Sequence, residues 1–241
     1  DRTVCSGDQG DSKVRGAVLE RLVVELEVAK LGRMSFAQQE RARLADLFLE
    51  VGPEAPTLCE GWTSFDLAVH LLIRERKPLA APGIFVDALS GITDDETERQ
   101  KARPYGEVVR EWAAGPPAFL KPFNTAMNTS EHFIHHEDLR RGGGAVEPRD
   151  FSRTVNRELF ALAKRFGGMT LRNAPVPVIL TPPDLPPATI GDKAGVADRG
   201  DNVVRVSGAP GELLLWASGR DAAVVELSGA VDALEGLNVK M

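Results

Sequence analysis

The residues with the greatest chemical reach lie together in Glu131-His132-Phe133-Ile134-His135-His136-Glu137-Asp138. The chain has four histidines. Three are in this stretch, and the fourth, His70, lies in an apolar segment upstream. Imidazole is the commonest metal ligand among side chains, and carboxylate is a usual companion around divalent cations. On a helix, residues four apart stand on the same face. Glu131 and His135 have that spacing, and so do His132 and His136. Either pair, facing a second helix that carries His70, makes a three-ligand site with positions left for water, as catalytic zinc sites have. At about 100° per residue, Glu131 and His135 centre slightly nearer the apolar arc of the helix than His132 and His136. Asp138 falls on the face of His135 and can accept an imidazole N–H. The competing reading is a solvated helix end, with His70 bonded to a backbone carbonyl.

Two helices must position these groups. Thr125 to Arg141 carries the histidine-rich stretch; Arg140 and Arg141 suit its C-terminal dipole, and Gly142-Gly143-Gly144 ends it. Thr63 to Arg76 carries His70, with Thr63 and Asp66 at capping-box spacing. Phe65, Leu67, Ala68, Val69, Leu71, Leu72 and Ile73 surround nearly its whole circumference, so it reads as buried. An imidazole buried without a partner costs about 1–3 kcal/mol, so this pattern requires a partner for His70 and disfavours its charged form.

Other elements frame these two. Ser35 and Gln38 form a capping box for a helix running to Val51, and Gly52-Pro53 ends it. A loop with Cys59 and Trp62 follows. Pro78 to Ile92 reads as a loop with room for a turn of helix, Asp94 to Ala102 and Tyr105 to Ala114 as short helices, and Asp150 to Phe166 as a longer one ended by Gly167-Gly168. Beyond it the pattern changes to strands at 176–180, 203–207 and 223–227. Turns are expected over 181–200, and helices over 212–218 and 230–237. The expected architecture is α+β: a helical bundle at 34–167 and a small α+β domain at 168–241. Residues 1–33 read as a loosely attached extension or tag, with Met34 as a natural start, or else as an extra packed helix.

The 241 residues and net charge of −6 suit a core that needs no staples and give no basic field for nucleic acid or anionic lipid. Two cysteines, Cys5 and Cys59, are too few for a disulfide framework and point to a reducing, cytoplasmic compartment. No apolar run approaches a membrane span, and no secretory signal is expected. There is no Gly-x-Ser-x-Gly elbow, phosphate loop, Gly-x-Gly-x-x-Gly or Cys-x-x-Cys. Position 140 is Arg, so His136-Glu137 does not begin a zincin motif. Cys59 reads first as inert packing, and Trp62 and Trp112 as core. Arg220, after a short helix, is either a guanidinium for a carboxylate ligand or a surface cation.

Several of these residues carry a resemblance. Thr57-Leu58-Cys59-Glu60-Gly61-Trp62-Thr63, followed by Asp66-Leu67-Ala68-Val69-His70-Leu71, resembles the start of the mycothiol-dependent maleylpyruvate isomerase family, within the DinB-type metal-binding four-helix bundles. Glu131-x-x-x-His135 with His136-Glu137-Asp138 resembles its second ligand motif. Pro210-Gly211-Glu212-Leu213-Leu214-Leu215 with Gly219-Arg220 resembles its C-terminal domain. The likeness runs from about Met34 to the end, and more narrowly points to an actinobacterial metal-binding branch. It implies that His70, Glu131 and His135 ligate a divalent metal, with zinc first in line. It also implies that Arg220 helps to bind thiol or substrate, and that the metal activates the thiol of mycothiol toward a small electrophile. The expected function is thus a thiol-dependent transferase or isomerase, monomeric or homodimeric, with a small-molecule thiol and a small electrophile as partners. The alternative is a non-catalytic metal-binding bundle with a binding or stress role.

Overall fold

The computed structural model describes residues 34–76, 90–116, 125–192 and 202–234. The expected extension at 1–33, the loop at 78–89 and part of the turn region near 193–201 lie outside them. The described chain is α+β, with seven α-helices and a four-stranded sheet. The helices are α1 (Phe36–Val51), α2 (Ser64–Arg76), α3 (Ser90–Lys101), α4 (Tyr105–Ala113), α5 (Thr125–Arg141) and α6 (Arg153–Thr170). Strands β1 (Val178–Thr181), β2 (Ala188–Ile190) and β3 (Val204–Ser207) follow, then α7 (Pro210–Ala217), β4 (Glu226–Gly229) and a 3-10 turn at Val231–Leu234.

Local chemistry sets the helix starts. Ser35 Oγ accepts from the Gln38 N–H, and Gln38 Oε1 accepts from the Ser35 N–H, closing the capping box of α1. Thr63 and Asp66 do the same for α2. The sheet order is β2-β1-β3-β4, with β1 and β3 parallel and both outer pairs antiparallel. Val178 pairs with Val204 and Leu180 with Val206, and these four residues are buried.

Four expectations change in the structure. The glycines Gly167 and Gly168 do not end α6, which continues to Thr170. A Cβ on Gly167 would meet Ile190 Cδ1, so this glycine leaves room for that side chain of β2 against the helix. The turns expected at 181–200 include strand β2, which pairs with β1. The last strand begins at Glu226 instead of Ala223, because the Val224 N–H is taken by the Glu212 carboxylate at 2.8 Å. Helix α3 begins at Ser90, ahead of the start expected at Asp94.

Two apolar clusters form. One joins Leu44, Phe48, Leu67, Leu71, Leu72, Val108 and Trp112 across α1, α2 and α4, and reaches Leu139 of α5. The other joins the sheet and α7 to Leu159 and Ala163 of α6, to Phe133 and Ile134 of α5 and to Phe36. Packing is therefore continuous across residue 168. Helix α5 touches both clusters, and polar side chains fill the space between them: His132, His135, His136, Glu137, Asp138 and Arg141 are all buried.

Candidate metal centre and cavity

Helix α5 presents two polar faces with different fates. On one face, His132 Nδ1 lies 2.9 Å from the Ala37 carbonyl, and its Nε2 lies 2.9 Å from Glu75 Oε1. Glu75 also pairs with Arg41 at 2.7 Å. His136 Nδ1 contacts Glu40 Oε2 at 3.0 Å, and Arg149 bridges Glu40 and Glu137. Arg141 is 2% exposed and forks onto both oxygens of Glu212 at 3.0 and 2.7 Å. It thus clamps α5 to α7 inside the protein, a role beyond the dipole-facing cation expected from its place in the last turn. With both His132 nitrogens engaged and His136 held in this charged layer, the His132/His136 pair does not face a cavity.

The other face holds Glu131, His135 and Asp138. His135 Nε2 lies 3.3 Å from Glu131 Oε2, and His135 Nδ1 lies 2.9 Å from Asp138 Oδ2. His70 comes from α2, its ring centroid 5.3 Å from that of His135. One ligand atom each from His70, Glu131 and His135 lies within 4.8 Å of the others. The geometry suits a divalent cation. Zinc bonds of about 2.0–2.1 Å in a tetrahedral shell put adjacent ligand atoms about 3.3–3.4 Å apart, and the Glu131–His135 separation is 3.3 Å. Two imidazoles and a carboxylate are the donor set of several open zinc sites. Among the described residues, none hydrogen-bonds the His70 ring, which packs against Trp62 and lines the cavity. The partner required from sequence is therefore not a side chain or carbonyl of the described protein.

Electrostatics follow from burial and these contacts. Burial lowers the His70 pKa to about 3, with His135 adding to the effect, so the ring is neutral and has a lone pair to offer. Burial opposes charge on His135, but hydrogen bonds with Asp138, Cys59 and Glu131 outweigh it and hold its pKa well above 6.5. Burial likewise opposes charge on Glu131, yet the His135 contact and the Arg74 guanidinium bring its pKa down to about 2. Arg74 Nε lies 3.4 Å from Glu131 Oε2, while Arg74 Nε and Nη2 make no hydrogen bond.

Asp138 anchors the surrounding residues, as its position on the His135 face suggests. Arg220 Nε and Nη2 donate to its two oxygens at 3.1 and 2.9 Å, and Arg220 Nη1 donates to the Ser218 carbonyl at 2.9 Å. Cys59 Sγ lies 3.4 Å from Asp138 Oδ2. The Cys59 loop is pinned to α5 by the Leu58 N–H, which donates to the Asp138 carbonyl at 3.0 Å. A Cβ on Gly142 would collide with the Pro56 carbonyl, so this glycine lets the loop approach the end of α5.

The ligand trio opens into a cavity of about 980 Å³, walled by Leu58, Cys59, Trp62, Ile134, Phe166 and Arg220 among others. Arg220 thus reaches the cavity, with much of its guanidinium spent on Asp138. Two residues read from sequence as packing belong here. Cys59 is half-buried in the cavity wall, and Trp62 is 37% exposed; only Trp112 is core. The available signal was position: Cys59 and Trp62 immediately precede the Thr63 cap of the His70 helix.

No protein-family model matches this chain, and no curated protein matches it. Among solved structures it is similar to a mycothiol-dependent maleylpyruvate isomerase, at 20% identity over 80% of this chain and 90% of that one, with a TM-score of 0.46.

Proposed function

We propose that this protein binds a divalent metal, zinc foremost, through His70, Glu131 and His135. We propose further that it uses the site for chemistry on a small electrophile with a low-molecular-weight thiol, the sequence resemblance naming mycothiol. The observation that carries the reading is the convergence of three ligand atoms within 4.8 Å at the wall of a cavity large enough for both reactants. A divalent cation there supplies a Lewis acid that favours thiolate over thiol at neutral pH. The protein's own residues do the rest. His70 contributes a neutral imidazole, and Glu131 a carboxylate held ionised. Asp138 receives the Nδ1–H of His135, which leaves Nε2 directed at Glu131 and the site. Arg220, fixed by the same carboxylate, presents its remaining N–H groups toward the cavity. Trp62 and Phe166 provide apolar wall that excludes water from part of it.

The DinB-like arrangement of the helices, the division at residue 168 and a cytoplasmic location belong to the same proposal. One observation favours the alternative of a non-catalytic metal-binding bundle: the three hydrogen bonds of Arg220 make it a clasp between α5 and the residues after α7.

The test is metal content by mass spectrometry on tag-free protein, with His70→Ala and His135→Ala beside it. About one divalent ion per chain, lost in both variants, supports the site. Mycothiol binding to the metal-loaded form then supports thiol chemistry, and metal without thiol binding supports the alternative. No metal uptake on adding zinc refutes both.

A further inference from the structure

The cavity's mouth has a charge character that the metal trio does not account for. Glu60, Asp94 and Asp221 line it, come from three separate segments, and are exposed. Among the described residues none of the three has an ion-pair partner. Asp66 also lines the cavity, but Lys101 neutralises it at 2.6 Å. The one Lys or Arg among the described lining residues is Arg220, and Asp138 answers its charge at 2.9 Å. Among the described residues, what remains is three exposed, unpaired carboxylates in a lining that also includes the partly exposed Trp62, an aromatic ring that attracts cations. At the inner end stand two imidazoles and the Glu131 carboxylate, the last offset by Arg74 at 3.4 Å, and a bound divalent cation would make that end positive.

We infer that the mouth of this site, if the site holds a metal and thiol as proposed above, favours a cationic or neutral polar outer part on its ligand and disfavours an anionic one. The substrate class is an electrophile or thiol with an amino outer part, and one with a carboxylate outer part is disfavoured. A ligand of this class places its thiolate or electrophilic end toward His70, Glu131 and His135 and its cationic end near Trp62 and the three carboxylates. An anionic outer part would meet the same three carboxylates with the opposite sign. A mouth lined by one sign of charge raises the local concentration of groups of the other sign.

The experiment uses the full chain loaded with cobalt(II), whose thiolate charge-transfer absorption reports thiol binding directly. Cysteamine, 2-mercaptoethanol and thioglycolate are titrated into wild type and into the E60Q/D94N/D221N variant. Comparing the two proteins cancels the differing acidity and chelating power of the three thiols. The expected result is that the preference for cysteamine over thioglycolate falls roughly tenfold in the variant, from three screened interactions acting with opposite sign on the two ligands. Affinity for 2-mercaptoethanol should stay within about twofold. In wild type, the preference should also shrink as salt is raised from about 0.05 to 0.5 M, a check that needs no mutation. A preference unchanged by both mutation and salt, with cobalt bound, overturns this inference alone. Failure to bind cobalt overturns the metal reading and this inference with it.

Discussion

Replacing Asp138 by Asn removes one charge from the point where the site's contacts meet. The Asp138 side chain is fully buried. It holds Arg220 on both oxygens and His135 Nδ1 at 2.9 Å. Asn keeps the size and one acceptor but turns an N–H toward groups that are themselves donors. Removing one partner of a buried ion pair costs about 3–5 kcal/mol. Arg220 is 15% exposed and reaches the cavity, so water offsets part of the loss, and we expect about 3 kcal/mol near pH 6. With a urea slope of about 3 kcal/mol/M, the midpoint falls by about 1 M. The pH dependence has a definite sign. Burial opposes charge on Asp138, but the contacts with His135 and Arg220 depress its pKa below 3.8. Its contribution is therefore present above that value and lost as pH falls through the folded pKa. The His135 pKa is raised well above 6.5, so its contribution is complete below 6.5 and lost as pH rises through the folded value. In chelator-treated protein the gap between wild type and D138N should be widest between 3.8 and 6.5, and should narrow in alkali to what Arg220 alone supplies. Urea unfolding followed by circular dichroism across pH measures this. A variant within about 0.5 kcal/mol of wild type, or a gap that widens as pH rises above 6.5, refutes the reasoning. With metal present, losing the acceptor for His135 should weaken affinity by about 10–100-fold.

Zinc binding at neutral pH should release about one proton, because His135 is held protonated and must become neutral to ligate; calorimetry in buffers of different ionisation enthalpy counts it. Glu40→Gln should destabilise the fold by about 3 kcal/mol while leaving metal content unchanged, since Glu40 pairs with His136 and Arg149 and takes no part in the ligand trio. Burial opposes charge on Glu40, but those partners lower its pKa to about 2, so its contribution is present above 4.5 and lost as pH falls through about 2. Chemical unfolding with metal analysis on the same samples tests both halves. Gly142→Ala should force the Pro56–Thr57 backbone away from α5, costing about 1–3 kcal/mol and displacing Cys59 from Asp138. Unchanged stability and an unchanged rate of Cys59 alkylation would show that the loop is not so constrained.

Local features were legible from local chemistry. Ser35 with Gln38 and Thr63 with Asp66 are complete within four residues, so their caps follow from sequence alone. The span of α5 and the shared face of Glu131, His135 and Asp138 follow from helical periodicity in the same way. Periodicity could not choose firmly between the Glu131/His135 and His132/His136 pairs, because both are four residues apart and both are largely enclosed. What separated them is which neighbours α5 meets: Glu75, Ala37 and Glu40 on one side, and His70 with the cavity on the other. Those contacts join residues 57 to 96 positions apart, and no local pattern encodes them. The approach of Ile190 from β2 to Gly167, inside α6, is likewise a contact that no local pattern encodes. Cys59 and Trp62 enter the cavity wall because the loop before α2 is tied to Asp138. Sequence alone determined which residues could act together on one helix. Tertiary structure decided which of them are used up as buried partners and which remain free to meet a ligand, because burial and distant partners set the charge and availability of every side chain in the site.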